Sequence, residues 1–325
     1  MKRYILLVFL SVLISCNQKN IDATVRLEGY IFGTTYHITY LSAQNNNYQK
    51  SIDSLFSLMN RSLSTYIPTS DISKINAGDT AVVVDALFEE VYQKSKRIYT
   101  ETNGYFDPTV GFLVNAWGFG PEKAKKNMDS VAVQKMMQLV GFDKIQLEKG
   151  KIRKQDARIF LDFNSIAKGY GVDLIARFLE SKNIQNYLVE IGGEIRASGK
   201  SSKQQHWRIA IEKPNTDGTQ SFQKTIELSN QSMATSGNYR KFRISDEGKK
   251  YVHTVNPKTG FATESNLLSV SVISSLDCAD VDAYATAFMA MGFEKTKLFV
   301  EKYPHLKVIL IYTNATGELV AYSSK

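Results

Sequence analysis

A succession of short apolar, β-branched runs dominates the second half of this chain: "NYLVEIGG", "EIRASG", "WRIAIEKP", "KTIELS", "NYRKFRI", "KKYVHTV" and "LLSVSVIS". Each is strand length, most are closed by Gly, Pro, Asn or Ser, and few are separated by enough chain for a helical crossover. That arrangement fits an α+β fold built on antiparallel strands better than a doubly wound parallel sheet. Upstream, "ATVRLEGYIFGTTYHITYL" (23–41) predicts one or two strands broken at Gly33, and "KIQLEKGKIRK" a hairpin around Gly150. "RIFLDF" reads as a buried strand leading into a helix from about Ser165 to Lys182.

Helical spacing is equally legible. Ile52, Leu55, Phe56, Met59 and Leu63 fall on one face of "YQKSIDSLFSLMNRSL". Asp85 is placed to cap a second helix that stops at Asn103-Gly104, and Asp129 a third that ends before Gly141. "CADVDAYATAFMAMG" (278–292) reads as an alanine-rich core helix with Phe288, Met289 and Met291 inward; a further helix near "EKTKLFVEKY" and a hairpin "KVILIYTNATGELVAYS" close the chain.

The amino terminus is different. Met1-Lys2-Arg3 precedes an apolar run from Tyr4 to Ile14, too short to span a bilayer and suited to a signal peptide. It ends in "LISC", which resembles a bacterial lipobox, so residues 1–15 are expected to be a lipoprotein signal, Cys16 the lipidated residue, 16–22 a tether and 23–325 one domain. Export and lipid anchoring to a bacterial membrane on its periplasmic face, the inner membrane favoured, follow as expectations. Loss of Lys2 and Arg3 would leave 38 basic residues against 32 acidic, a net +6. The lysines are scattered among acids, which argues against nucleic acid as a partner. Only Cys278 accompanies Cys16, so no disulfide framework and no thiolate metal site are expected.

Chemistry concentrates in a few places. Asp282 and Thr286 stand at i and i+4, presenting two hard oxygens from one helix face, the kind of sparse donor set that magnesium takes beside substrate phosphates. Asp280, two residues away, faces elsewhere. In "LDFNSIAKGYG" the start of a helix brings free amides, Asp162 and Lys168 together, a setting for an anion. Glycine-bearing "FGTTYH", "IGGEIRASG" and "ATSGNYRKF" allow close backbone approach to a phosphate-containing ligand. His253 in "YVHTVNPKTG" is the side chain best suited to proton transfer near neutral pH.

Read in order, eight stretches resemble the ApbE family, the FAD:protein FMN transferases: "FGTTYHI", "STYIPTSDISKIN", "TNGYFDPTVGFLVNAWGFG", "LDFNSIAKGYGVD", "YLVEIGGEIRASG", "ATSGNYRKF", "HTVNPKTG" and "ADVDAYATAFMAMG". The resemblance implies an ApbE-type fold and Mg²⁺-dependent transfer of FMN from FAD to a threonine or serine hydroxyl of a partner protein, with AMP released. Its implied acceptors resemble the flavinylated subunits of sodium-translocating NADH:quinone reductase and Rnf-type complexes. By the same resemblance Asp282, Thr286 and the backbone carbonyl of Ser165 are magnesium ligands. Phe32, Tyr66, Tyr105, Phe106, Asp107, Asp162, Lys168 and Thr254 fall at FAD-contact positions, and His253 and Lys168 are the catalytic candidates. Phe32, Asn164-Ser165, Asn256 and Ala262 depart from the commoner family residues. Two other readings fit the same residues: an FAD pyrophosphatase giving FMN and AMP, and a non-catalytic flavin-binding lipoprotein.

Overall fold

The computed structural model describes residues 23–122, 124–125, 128–212, 222–238, 242–244, 250–262 and 266–324; the expected signal, Cys16 and the tether lie outside the described residues. In chain order, β1 (Ala23–Ile31), β2 (Thr34–Ser42), α1 (Gln49–Leu63), α2 (Asp71–Asn76), α3 (Ala86–Glu101), α4 (Gly111–Trp117) and α5 (Ser130–Met137) precede the hairpin β3 (Ile145–Glu148) and β4 (Lys151–Lys154). Then come α6 (Asn164–Ser181), β5 (Tyr187–Ile191), β6 (Glu194–Ser198), β7 (Trp207–Glu212), β8 (Phe222–Leu228), β9 (Gln231–Gly237), β10 (Phe242–Ile244), β11 (Lys250–Val252) and β12 (Leu267–Ser274). The chain closes with α7 (Cys278–Met291), α8 (Phe293–Lys302), β13 (Lys307–Thr313) and β14 (Leu319–Ser323).

Eight strands form one sheet in the order β1-β2-β5-β6-β9-β12-β13-β14, with every neighbouring pair antiparallel. Period-two alternation divides its residues between two cores. Tyr36, Ile38, Val189, Ile191, Ala234 and Val270 face the helices, whereas Ile195, Ala197, Met233 and Ile273 face the β7–β8 hairpin with its Trp207, Ile209 and Ile211. The α+β reading holds, and so do the hairpins and the long helices. Asp85 and Asp129 cap as their positions predict, accepting from Phe88 N and Ala132 N.

The helix α7 packs on β9, β12, α3, α6 and α8. Buried on almost every side, it needs no polar face, which is why its sequence is alanine-rich and carries little amphipathic pattern. Phe288 is fully buried, worth roughly 2–3 kcal/mol of transfer free energy.

Two expectations fail. Arg158–Phe163 joins no sheet among the described residues: Leu161 N donates to Asn76 Oδ1 and Asn76 Nδ2 to Leu161 O, both at 2.8 Å, so an asparagine side chain substitutes there for a partner strand. Conversely the sequence predicts no strand over Gln231–Gly237, "QSMATSG", which is a central strand of the sheet. Its small and hydroxylic residues suit a strand with α7 close against it, and Thr235 and Ser271 hydroxyls bond across the ladder at 2.8 Å.

Candidate functional site

The helices α6 and α7 meet backbone to backbone. A Cβ at Gly169 would stand 2.4 Å from the Cys278 carbonyl oxygen, so no other residue fits there without parting the helices. The Gly169 N–H, whose regular helical acceptor is the Ser165 carbonyl, donates to Asp282 Oδ2 at 3.0 Å. Asp282 is only 4% exposed, and burial, partly opposed by the Lys168 ammonium and that amide, pushes its carboxyl up to about 6. One turn on, the Thr286 hydroxyl lies 3.4 Å from Ser236 Oγ on β9. Asp280 points away, as its spacing predicts, pairing with Lys94 at 3.2 Å and Arg97 at 2.8 Å.

Lys168 is not merely solvated. Its Nζ donates to Glu194 Oε2 at 2.5 Å, and Glu194 is 1% exposed. Burial alone would lower the Lys168 ammonium, but Glu194 and Asp282 beside it hold it above the ordinary lysine range. Burial likewise pushes Glu194 up to about 8, against the pull of Lys168. Sequence reasoning missed Glu194; the available signal was a carboxylate opening a strand directly after Gly192-Gly193.

These groups line a cavity of about 1410 Å³. Asp282, Thr286, Ser165 and Lys168 lie on its wall with Phe32, Tyr66, Tyr105, Phe106, Asp107, Asp162, His253 and Thr254, so folding brings all twelve expected site residues of the 23–325 domain together. Tyr66 is 60% exposed at the mouth. Phe32 sits at the β1–β2 tip with φ of 52° and packs edge-on against Phe56. The Tyr105 hydroxyl accepts from Lys295, and Lys258 lies 5.9 Å from its ring.

Two buried carboxylates shape the far end. Asp107 Oδ1 accepts from Thr109 N and Thr109 Oγ1 at 2.8 and 2.6 Å, and burial, outweighing those bonds, pushes it up to about 6. Asp162 Oδ1 accepts from Asn164 N at 2.8 Å, the first amide of α6, while burial raises its carboxyl. Asp162 thus satisfies the first helical amide as well as lining the cavity.

His253 follows directly after β11 rather than within a strand, its ring 6.5 Å from that of Phe119. Thr254 Oγ1 donates to Asn238 Oδ1 at 2.9 Å. Asn256, where the family more often has aspartate, donates from Nδ2 to the Ala290 carbonyl on α7 at 3.3 Å and accepts from Lys258 N at 2.9 Å. An aspartate cannot make the first bond, so the departure ties the His253 segment to α7.

The glycine stretches are less available to phosphate than their composition suggests. Gly192 N donates to Thr35 O and Gly193 N to Glu190 Oε1, at 3.0 and 2.7 Å. Among the described residues no three His, Cys, Asp or Glu side chains group into a metal cage. The donor chemistry of Asp282, Thr286 and the Ser165 carbonyl, one carboxylate, one hydroxyl and one backbone carbonyl, all hard oxygens, would fit magnesium.

Comparison with known proteins agrees with this arrangement. The chain is 37% identical over 313 residues to an FAD:protein FMN transferase of Haemophilus influenzae, covering 92% of this chain and 90% of that one. It is 35% identical over 303 residues to the enzyme of the same name from Vibrio cholerae, covering 90% and 89%. The solved flavin transferase ApbE from Vibrio cholerae superposes with a TM-score of 0.83 at 33% identity, covering 94% of this chain and 98% of that one. The apo form of the Pseudomonas stutzeri flavinyl transferase ApbE gives 0.83 at 30% identity, covering 94% and 95%. The ApbE family model matches residues 32–310, and with these relatives and this overall superposition the chain belongs to the ApbE family.

Proposed function

We propose that this protein is an FAD:protein FMN transferase that uses Mg²⁺ to move FMN from FAD onto a threonine or serine hydroxyl of a partner protein. The observation that carries the reading is the wall of Lys168, Glu194, Asp282 and Thr286 beside one large cavity. In the reaction the acceptor oxygen bonds to the FMN phosphorus, the pyrophosphate P–O bond breaks, AMP leaves, and the hydroxyl proton is taken up. Phosphoryl transfer of this kind depends on positioning and on neutralising charge.

Asp282, Thr286 and the Ser165 carbonyl would hold Mg²⁺, which supplies charge neutralisation at the pyrophosphate oxygens. The Gly169 amide, shared with Asp282, has a weakened claim on the Ser165 carbonyl, which favours that role. Lys168 contributes a full positive charge, fixed in place by Glu194. Phe32, Tyr66, Tyr105, Phe106, Asp107, Asp162 and Thr254 surround the flavin nucleotide, and His253 takes the acceptor's proton, a role worth roughly 10²–10⁴ in rate.

The same reading makes the chain an exported lipoprotein anchored through Cys16 on the periplasmic face of a bacterial membrane, acting on the flavinylated subunits of sodium-translocating NADH:quinone reductase or Rnf-type complexes. The test is incubation of such an unflavinylated subunit with the protein, FAD and Mg²⁺, followed by mass spectrometry. An FMN adduct on threonine or serine, lost with EDTA, is expected. AMP released at full rate without acceptor would establish an FAD pyrophosphatase instead, and FAD binding with no AMP under any condition a flavin-binding protein. His253→Ala should slow single-turnover transfer while FAD binding persists.

A further inference from the structure

The cavity extends beyond the helix face. Ile195, Met233, Ile209 and Ile211, which belong to the opposite side of the sheet, also line it, so it continues round the strand ends. The rim at that turning point is built from two hairpin tips side by side, Phe32–Gly33 between β1 and β2 and Gly192–Gly193 between β5 and β6. They are joined by the Gly192 N to Thr35 O bond. All four residues have positive φ, and a Cβ on Gly33 or Gly193 would meet nothing within 4 Å. At Gly33 and Gly193 the rim is therefore open backbone that another polypeptide can approach closely.

Polar and aromatic groups flank this rim on the sheet face away from the helices. His37 and Glu190 are register partners on β2 and β5, with His37 Nδ1 donating to Glu190 Oε2 at 2.8 Å while Glu190 Oε1 receives Gly193 N. Both acceptor oxygens of Glu190 are used in holding the ring and the turn. The His37 side chain is still 59% exposed, and its Nε2 is the ring atom left to face a ligand. Tyr30, the partner of Thr35 across the β1–β2 ladder, is 73% exposed and donates its hydroxyl to Gly33 O at 3.3 Å. An oriented imidazole, an exposed tyrosine and open glycines are features of a protein-binding surface.

We propose that this rim, with Tyr30 and His37, seats the acceptor polypeptide. The inference rests on the transferase reading, in which the side chains from Phe32 to Asp162 on the helix face hold FAD and the second substrate needs another way in. An extended segment crossing the glycines at Gly193 passes one residue from Glu194, hence beside Lys168 and the reacting phosphate. Tyr30 packs on its side chains, and His37 bonds its backbone or a polar side chain.

The test uses the protein and an unflavinylated acceptor subunit of a sodium-translocating NADH:quinone reductase. Tyr30→Ala and His37→Ala should each raise the KM for that subunit by about tenfold, with kcat at saturation and FAD affinity by fluorescence titration unchanged. Leu298→Ala, at an equally exposed position on α8, should change none of these. A benzophenone side chain at position 30 should crosslink to the subunit, and one at position 298 should not. Wild-type transfer with an unaltered acceptor KM in both variants overturns the seat and leaves the transferase reading standing. Absence of any FMN adduct with the wild type sinks both.

Discussion

The two ends of the α6–α7 contact carry the same chemistry put to different ends. At one end Asp173, from α6, accepts from Cys278 N and Ala279 N at 2.9 and 2.8 Å and pairs with Arg196 at 2.8 Å. At the other Asp282, from α7, accepts from Gly169 N and otherwise faces the cavity. Exposure does not distinguish them, at 0% and 4%. Partners do: Asp173 has two helix amides and a guanidinium that Asp277 also braces, so it pins the helices together, whereas Asp282 has one amide with the Lys168 ammonium beside it, although burial pushes both carboxyls up to about 6. A buried carboxylate that the fold does not satisfy is a cost in stability, and such costs gather at functional sites.

The largest test of this contrast is Asp173→Asn. It leaves Arg196 short of one partner and weakens the α7 cap, so unfolding free energy should fall by about 3 kcal/mol, the low end for breaking a buried pair because Asp277 remains. Urea denaturation measures it, and an unchanged midpoint would remove the structural role. Asp282→Asn should behave oppositely in EDTA, leaving thermal stability unchanged or raised because a desolvated charge is gone. Its Mg²⁺-dependent FMN transfer should nevertheless drop by about 10²–10³. A destabilised but active Asp282→Asn protein would return α7 to a purely structural helix.

A third carboxylate sharpens the comparison through pH. Asp107 is pushed by burial up to about 6 from an ordinary value of 3.8, so the folded chain holds its proton to higher pH than the unfolded chain does. Its contribution to stability is therefore fully present below about pH 4 and is lost as pH rises through about 6, with a total on the order of 3 kcal/mol. Asp107→Asn should flatten that part of the stability profile, measured as urea midpoints from pH 4 to 7. A wild-type profile that is flat over the same window would mean that the Thr109 bonds, not burial, control the group.

Much of this was visible in sequence. Asp282 and Thr286 are four apart, and helical geometry alone puts them on one face with Asp280 turned toward Lys94 and Arg97. The long helices, their Asp caps and the turn at Gly33 are likewise local patterns. "RIFLDF" misled because β-branched and aromatic residues signal extended backbone, while the partner that satisfies it is Asn76, a side chain 85 residues away from Leu161. "QSMATSG" was missed in the other direction, since its small residues answer to a helix packed on them rather than to a β-branched pattern.

What the sequence by itself determined is therefore the kind and order of the elements, the family resemblance, and which residues stand on which helix face. Those depend on spacings of two to four residues and on capping chemistry, which a short window of chain contains. Only the tertiary structure decided that Lys168 meets Glu194, that Gly169 yields its amide to Asp282 113 residues on, and that Asp173 and Asp282 differ in satisfaction. Desolvation and pairing are properties of the packed interior, and the same carboxylate is a cap, a metal ligand or a liability according to which distant atoms fold against it.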